Sequence, residues 1–144
     1  MSFPSFQSQH GVDFLPQMPQ DKRRGERIQY YAADEDLQNP YVSPYFGSFD
    51  GLPPLLIQVG TIEKLYDEII ATVQKVPGSV VLETYRSQVH VFQQLREITS
   101  ASKVATDRAG EWMKEIWLAE RQVTSKRQMH AFDFNGKLVE SNLI

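Results

Sequence analysis

The hydrophobic period of the sequence switches twice between Leu52 and Tyr85, and this narrows the choice of fold more than any other feature. Leu55-Leu56-Ile57-Gln58-Val59-Gly60 is a short apolar run bounded by Pro53-Pro54 and a glycine, as expected of a strand buried on both faces. From Glu63 onward, Leu65, Ile69, Val73 and Val76 recur at helical spacing until Pro77-Gly78 stops them. Val80-Val81-Leu82-Glu83-Thr84-Tyr85 then reads as a second strand. Strand, helix and strand within about 30 residues make a βαβ unit, in which the two strands run parallel. The spacing predicts parallel, adjacent strands near 54–60 and 80–85 and a helix near 64–76, in an α/β fold.

The rest of the chain is less regular. Residues 1–38 read as an irregular and partly helical N-terminal segment, with a short helix from Asp21 to Tyr31 that Asp21 would cap. Asn39-Pro40-Tyr41-Val42-Ser43-Pro44-Tyr45-Phe46 predicts a rigid, non-helical connection, because each proline fixes its own backbone and restricts its neighbour. A helix is expected from about Ser102 to Gln122, with Ala105, Ala109, Trp112, Met113, Ile116 and Trp117 as the stripe that packs on the sheet. Arg121, Lys126 and Arg127 read as the solvated end of that helix. Asn135-Gly136 between Phe132 and Leu138 is a hairpin signal. The expected division is 1–38 as N-terminal segment, 39–122 as the α/β part and 123–144 as a tail.

Composition excludes several function classes. Fifteen Lys and Arg against eighteen Asp and Glu give a net charge of -3, which does not suit a protein that binds nucleic acid by neutralising phosphates. The absence of cysteine removes disulfides, thiolate metal sites and a thiol nucleophile. His10, His90 and His130 are scattered, without carboxylates at ligand spacing, so neither a metal nor another cofactor is expected. No apolar run reaches the roughly 18 residues of a membrane span. The N-terminus lacks the pattern of a signal peptide, so a cytoplasmic location is the expectation.

Two side chains stand out by position. Glu63 follows the first strand and His90 follows the second, and functional groups of parallel sheets gather outside the carboxyl ends of strands. An acid followed in sequence by a histidine at that edge matches the last two members of a Ser–acid–His triad. On spacing alone, the simpler account is that Glu63 caps the helix start, where a carboxylate suits the dipole, and that His90 is an ordinary loop residue. Asp67, in the first helical turn with Glu68, is the fallback acid.

Several segments together carry a family resemblance. Asn39-Pro40-Tyr41-Val42-Ser43-Pro44, Gly51-Leu52-Pro53-Pro54-Leu55-Leu56-Ile57-Gln58-Val59-Gly60, Glu63-Lys64-Leu65-Tyr66-Asp67-Glu68 and Val89-His90-Val91-Phe92-Gln93 occur in this order. The chain from about Tyr30 to Trp117 thereby resembles the C-terminal half of the α/β-hydrolase fold-3 family, the carboxylesterases and lipases related to hormone-sensitive lipase. The resemblance implies the C-terminal portion of an α/β-hydrolase fold with an incomplete sheet. It places Glu63 at the triad acid, with Leu65 and Asp67 at their family positions, and His90 at the triad base before Val91 and Phe92. The chain departs from the family at four places. The acid is Glu rather than the commoner Asp, Thr61-Ile62 stands where polar or acidic residues are frequent, and Ser87-Gln88 replaces a glycine-containing turn. The fourth is an absence: the 144 residues hold neither Gly-x-Ser-x-Gly nor the His-Gly-Gly-Gly stretch of the oxyanion hole.

The expected function is therefore that of a carboxylic-ester hydrolase fragment, which supplies the acid and the histidine of a triad and is inactive alone. A small ester would be its substrate only if an N-terminal half completed the fold. The alternative is a non-catalytic protein that keeps half of the hydrolase fold and binds a partner. Exposed strand edges make self-association an expectation in either case. Should turnover by the chain alone depend on one serine, Ser43 and Ser87 are the first candidates.

Overall fold

The computed structural model describes residues 38–118 and 126–144. The helix expected from Asp21 to Tyr31, His10 and Arg121 lie outside these residues. The elements are strand β1 (Leu55–Gly60), helix α1 (Tyr66–Lys75), strand β2 (Val80–Tyr85), helix α2 (Ser100–Leu118) and strands β3 (Arg127–Phe132) and β4 (Leu138–Leu143). The four strands form one sheet in the order β1-β2-β3-β4. β1 and β2 are parallel, with Leu55 beside Val80 and Gly60 beside Tyr85. β2 and β3 are also parallel, and β3 and β4 are antiparallel. The expected βαβ unit is present, and the Asn135-Gly136 turn closes the expected hairpin. The Pro-rich connection holds one short 3₁₀ turn at Pro44–Phe46, where the sequence predicted none.

The two faces of the sheet differ in chemistry. On one face Val59, Val80 and Leu82 pack with Val73 and Val76 of the α1 segment, flanked by Leu55, Ile57, Ile69, Ile70 and Met129. Each fully buried aliphatic side chain there contributes about 1.5–3 kcal/mol. The alternating positions carry Gln58, Glu83, Tyr85, His130 and Phe132, and α2 lies over them. β1 and β2 are thus not uniformly apolar strands. They alternate, with a polar and aromatic set toward α2.

α2 owes this position to its first turns. Thr99 Oγ1 accepts the Ser102 backbone N–H at 3.2 Å, which caps the helix start. The small side chains of Ala101, Ser102 and Ala105 are fully buried and let the helix approach the sheet closely. The expected apolar stripe is kept in part: Ala105 is buried and Ala109, Trp112 and Ile116 are half-buried, whereas Met113 is 60% exposed and Trp117 88% exposed. The buried face of α2 is narrower than the stripe, so period alone misjudged its width.

Arg127 also differs from expectation. It opens β3, and its guanidinium donates to the carbonyls of Val76 and, at 3.4 Å, Val73. It therefore satisfies carbonyls at the C-terminal end of α1, where a cation suits the helix dipole.

Candidate active site

Glu63 and His90 meet at the carboxyl edge of the sheet. The β1–α1 loop and the loop after β2 cross there and are stitched together by backbone. The Thr61 N–H donates to the Tyr85 carbonyl at 3.0 Å, and the Ile62 N–H to the Gln88 carbonyl at 3.3 Å. Thr61 Oγ1 accepts the Ser87 N–H at 2.9 Å. The hydroxyl thus gives Thr61 a role in the crossing that its sequence position did not announce. Ser87 adopts a left-handed backbone, φ 57°, a geometry that a glycine takes without steric cost.

Gly60 makes the crossing sterically feasible. A Cβ at this position would lie 2.1 Å from the Gln88 carbonyl oxygen. Neither backbone can yield without moving both loops. Gly60→Ala is expected to destabilise the chain by about 3 kcal/mol, the upper end for overpacking, because the obstacle is main chain. A urea midpoint equal to that of the wild type would refute the close approach.

Glu63 is 4% exposed, and each of its carboxylate oxygens has a partner. Oε2 accepts the Gly60 N–H at 3.2 Å, and Oε1 lies 3.4 Å from His90 Nδ1. A carboxylate only accepts, so Nδ1 carries the proton and Nε2 is the free basic nitrogen. α1 has no side-chain cap, so capping does not account for Glu63. The His90 side chain is 37% exposed and therefore accessible at the surface. Asp67 is exposed in the first turn of α1, and its charge adds to burial in raising the pKa of the Tyr66 phenol. The bond from His90 runs to Glu63.

The residue after His90 is also unusual. Val91 is left-handed, with φ 52° and ψ 31°, which is costly for a β-branched side chain. It leads into a 3₁₀ turn, Phe92–Leu95, whose Phe92 is buried against the Tyr85 ring at 5.0 Å. Of the two serines considered as nucleophiles, Ser87 lies in the crossing loop and Ser43 precedes the Pro44 turn. Neither sits on a strand-to-helix elbow.

A family model of the alpha/beta hydrolase fold matches residues 7–94. The chain belongs to the α/β-hydrolase fold-3 family. An acetyl-hydrolase of Streptomyces hygroscopicus is 34% identical over 96 residues, covering 65% of this chain and 31% of that protein. An esterase of Acinetobacter venetianus is 51% identical over 43 residues, covering 28% of this chain and 14% of that protein. The matches thus span less than a third of each relative's length. Within the family fold, the four-stranded mixed sheet described here is a part, with the Glu63–His90 edge at the carboxyl end of its parallel strands.

A second polar group lies beneath α2, and it was missed in the sequence because its members are dispersed through apolar strands. Glu83 is 1% exposed. Its carboxylate accepts from Arg108 Nε at 2.7 Å, Gln58 Nε2 at 2.9 Å and the Tyr85 hydroxyl at 2.8 Å. Burial and the adjacent carboxylate push the Tyr85 phenol far above its ordinary pKa, so it remains a donor. The period-2 position of Gln58 and Glu83 among aliphatic neighbours was the available signal. No group of three or more potential metal ligands occurs among the described residues. Nor is any helix among them long and apolar enough to cross a membrane.

His130 stands beside Glu83 on β3, and its Nδ1 is buried without a hydrogen-bond partner. Burial and then the Arg108 guanidinium lower its pKa, against a smaller opposing pull from Glu83. The folded state therefore prefers the neutral ring. The resulting stability is complete above the unfolded value of about 6.5 and declines as pH falls through it toward the lower folded value. The urea midpoint of the wild type is expected to fall below about pH 6.5 more steeply than that of His130→Gln. Parallel profiles for the two proteins would contradict this.

Proposed function

We propose that the chain carries the acid and the base of a carboxylic-ester hydrolase, with Glu63 orienting His90. The observation that carries this reading is the contact of the buried Glu63 carboxylate with Nδ1 of the accessible His90. In such an enzyme a serine oxygen attacks the ester carbonyl while His90 Nε2 takes the hydroxyl proton. The tetrahedral intermediate collapses, the bond to the alcohol oxygen breaks, and the proton passes to the leaving alcohol. Water then repeats the sequence on the acyl-enzyme and releases the carboxylic acid. Throughout, Glu63 holds the imidazole in one tautomer and offsets the charge of the imidazolium. The relatives, an acetyl-hydrolase and an esterase, support an ester substrate and suggest a short acyl group for the first assay.

The nucleophile must come from a Gly-x-Ser-x-Gly segment, which these 144 residues do not contain. The 144-residue chain by itself is expected to hydrolyse p-nitrophenyl acetate no faster than its His90→Ala variant. Joined to a family N-terminal segment that supplies the serine elbow and oxyanion amides, it is expected to gain turnover that depends on His90. His90-dependent hydrolysis by the chain alone would show that it holds its own nucleophile, with Ser43 and Ser87 the first serines to replace. The same missing elbow favours a second reading, a non-catalytic protein that keeps this part of the fold and binds a partner. A completed, folded protein without His90-dependent turnover would select that reading.

A further inference from the structure

We infer that Gln58 and Gln93 are positioning residues for His90, with the Glu83 carboxylate setting the direction of their hydrogen bonds. The inference rests on the reading of Glu63 and His90 as a working pair. It starts from Val91, whose left-handed backbone persists only if its surroundings hold it on both sides. Upstream, the stitched loops hold Ser87 and Gln88. Downstream, Phe92 is buried and its carbonyl accepts the Ser102 hydroxyl at 2.7 Å.

The following residue adds a directional tie. Gln93 Nε2 donates to Gln58 Oε1 at 3.2 Å. Gln58 Nε2 donates to Glu83 Oε2 at 2.9 Å and to the Ala105 carbonyl at 2.7 Å. Glu83 and the carbonyl are acceptors only, so Gln58 must present its amine to them. Its oxygen is then left for Gln93, and only a donor at residue 93 can complete the chain. An apolar contact would hold the turn against the sheet without fixing that polarity. The chain of bonds therefore joins β1, β2, α2 and the turn that begins two residues after His90. It restricts the rotation at Val91 by which the imidazole would leave Glu63.

The test measures exchange of the His90 ring N–H proton by NMR in the full chain, alongside urea unfolding. Gln93→Met and Gln58→Met keep the side-chain volume and remove the bonds. Each is expected to speed that exchange by about five- to tenfold, the factor of one lost hydrogen bond. The Gln93→Met unfolding midpoint should stay near that of the wild type. Gln93→Lys restores a donor and should restore slow exchange, and Gln94→Met, at an exposed neighbour, should change nothing. Wild-type exchange rates in both methionine variants would overturn the inference, as would Gln93→Lys exchanging as fast as Gln93→Met. Glu63→Ala separates the two levels of the argument. If it leaves the His90 proton unchanged, or if the wild type shows no protected proton, the Glu63–His90 reading itself fails. If it releases the proton while the glutamine variants do not, only the positioning role fails.

Discussion

In a protein completed by a serine elbow, His90→Ala is expected to reduce ester turnover by about 10²–10⁴, the range for losing a positioned general base. The loss should appear in kcat, because the base acts only as the serine proton moves. Glu63→Ala should also reduce kcat, through loss of the tautomer and orientation that Oε1 imposes on Nδ1. Asp67→Ala is the informative comparison, since Asp67 was the alternative acid. It is exposed on α1, so its replacement should change kcat by no more than about twofold, as for surface substitutions generally. Turnover that survives Glu63→Ala and falls with Asp67→Ala would transfer the acid role to Asp67. Steady-state assays of the three variants on one short p-nitrophenyl ester decide between these outcomes.

How much of this was legible in the sequence depends on whether a residue's role is set by its neighbours in the chain or by residues far from it. The β1–α1–β2 unit was legible because period, proline and glycine act locally. The positions of Glu63 and His90 followed from that unit, since parallel strands bring their carboxyl ends to one edge. The closeness of their contact was not legible. It depends on Gly60 admitting the Gln88 carbonyl, and on Ser87 and Val91 adopting backbones that their residue types disfavour. Met113 and Trp117 have the spacing of a buried stripe, yet they flank the half-buried Trp112 and Ile116 and are exposed, because spacing does not tell how wide the buried face is. Arg127 looked like part of a basic cluster because its partners, the Val73 and Val76 carbonyls, lie some fifty positions earlier in the chain. Glu83 was concealed for the same reason. Its cation, Arg108, lies on another element, and nothing near Glu83 in the sequence indicates the pairing.

That pairing leads to the second large effect. Arg108→Leu is expected to destabilise the chain by about 3 kcal/mol, the lower end for breaking a buried ion pair. The lower end applies because the Arg108 side chain is 34% exposed, whereas that of Glu83 is 2% exposed. Most of the cost falls on the carboxylate, which would keep the Tyr85 and Gln58 donors but lose the guanidinium that approaches Oε1 within 2.6 Å. Leucine also removes the cation held 4.9 Å from the Phe132 ring, a smaller loss. If the uncompensated charge is the cause, adding Glu83→Gln should recover part of the stability, although neither single substitution is stabilising. The amide keeps an acceptor for Tyr85 and needs no counter-ion. Urea unfolding of the two single variants and the double variant gives the coupling directly. A cost below about 1 kcal/mol for Arg108→Leu, with no recovery in the double variant, would mean that water already reaches Glu83.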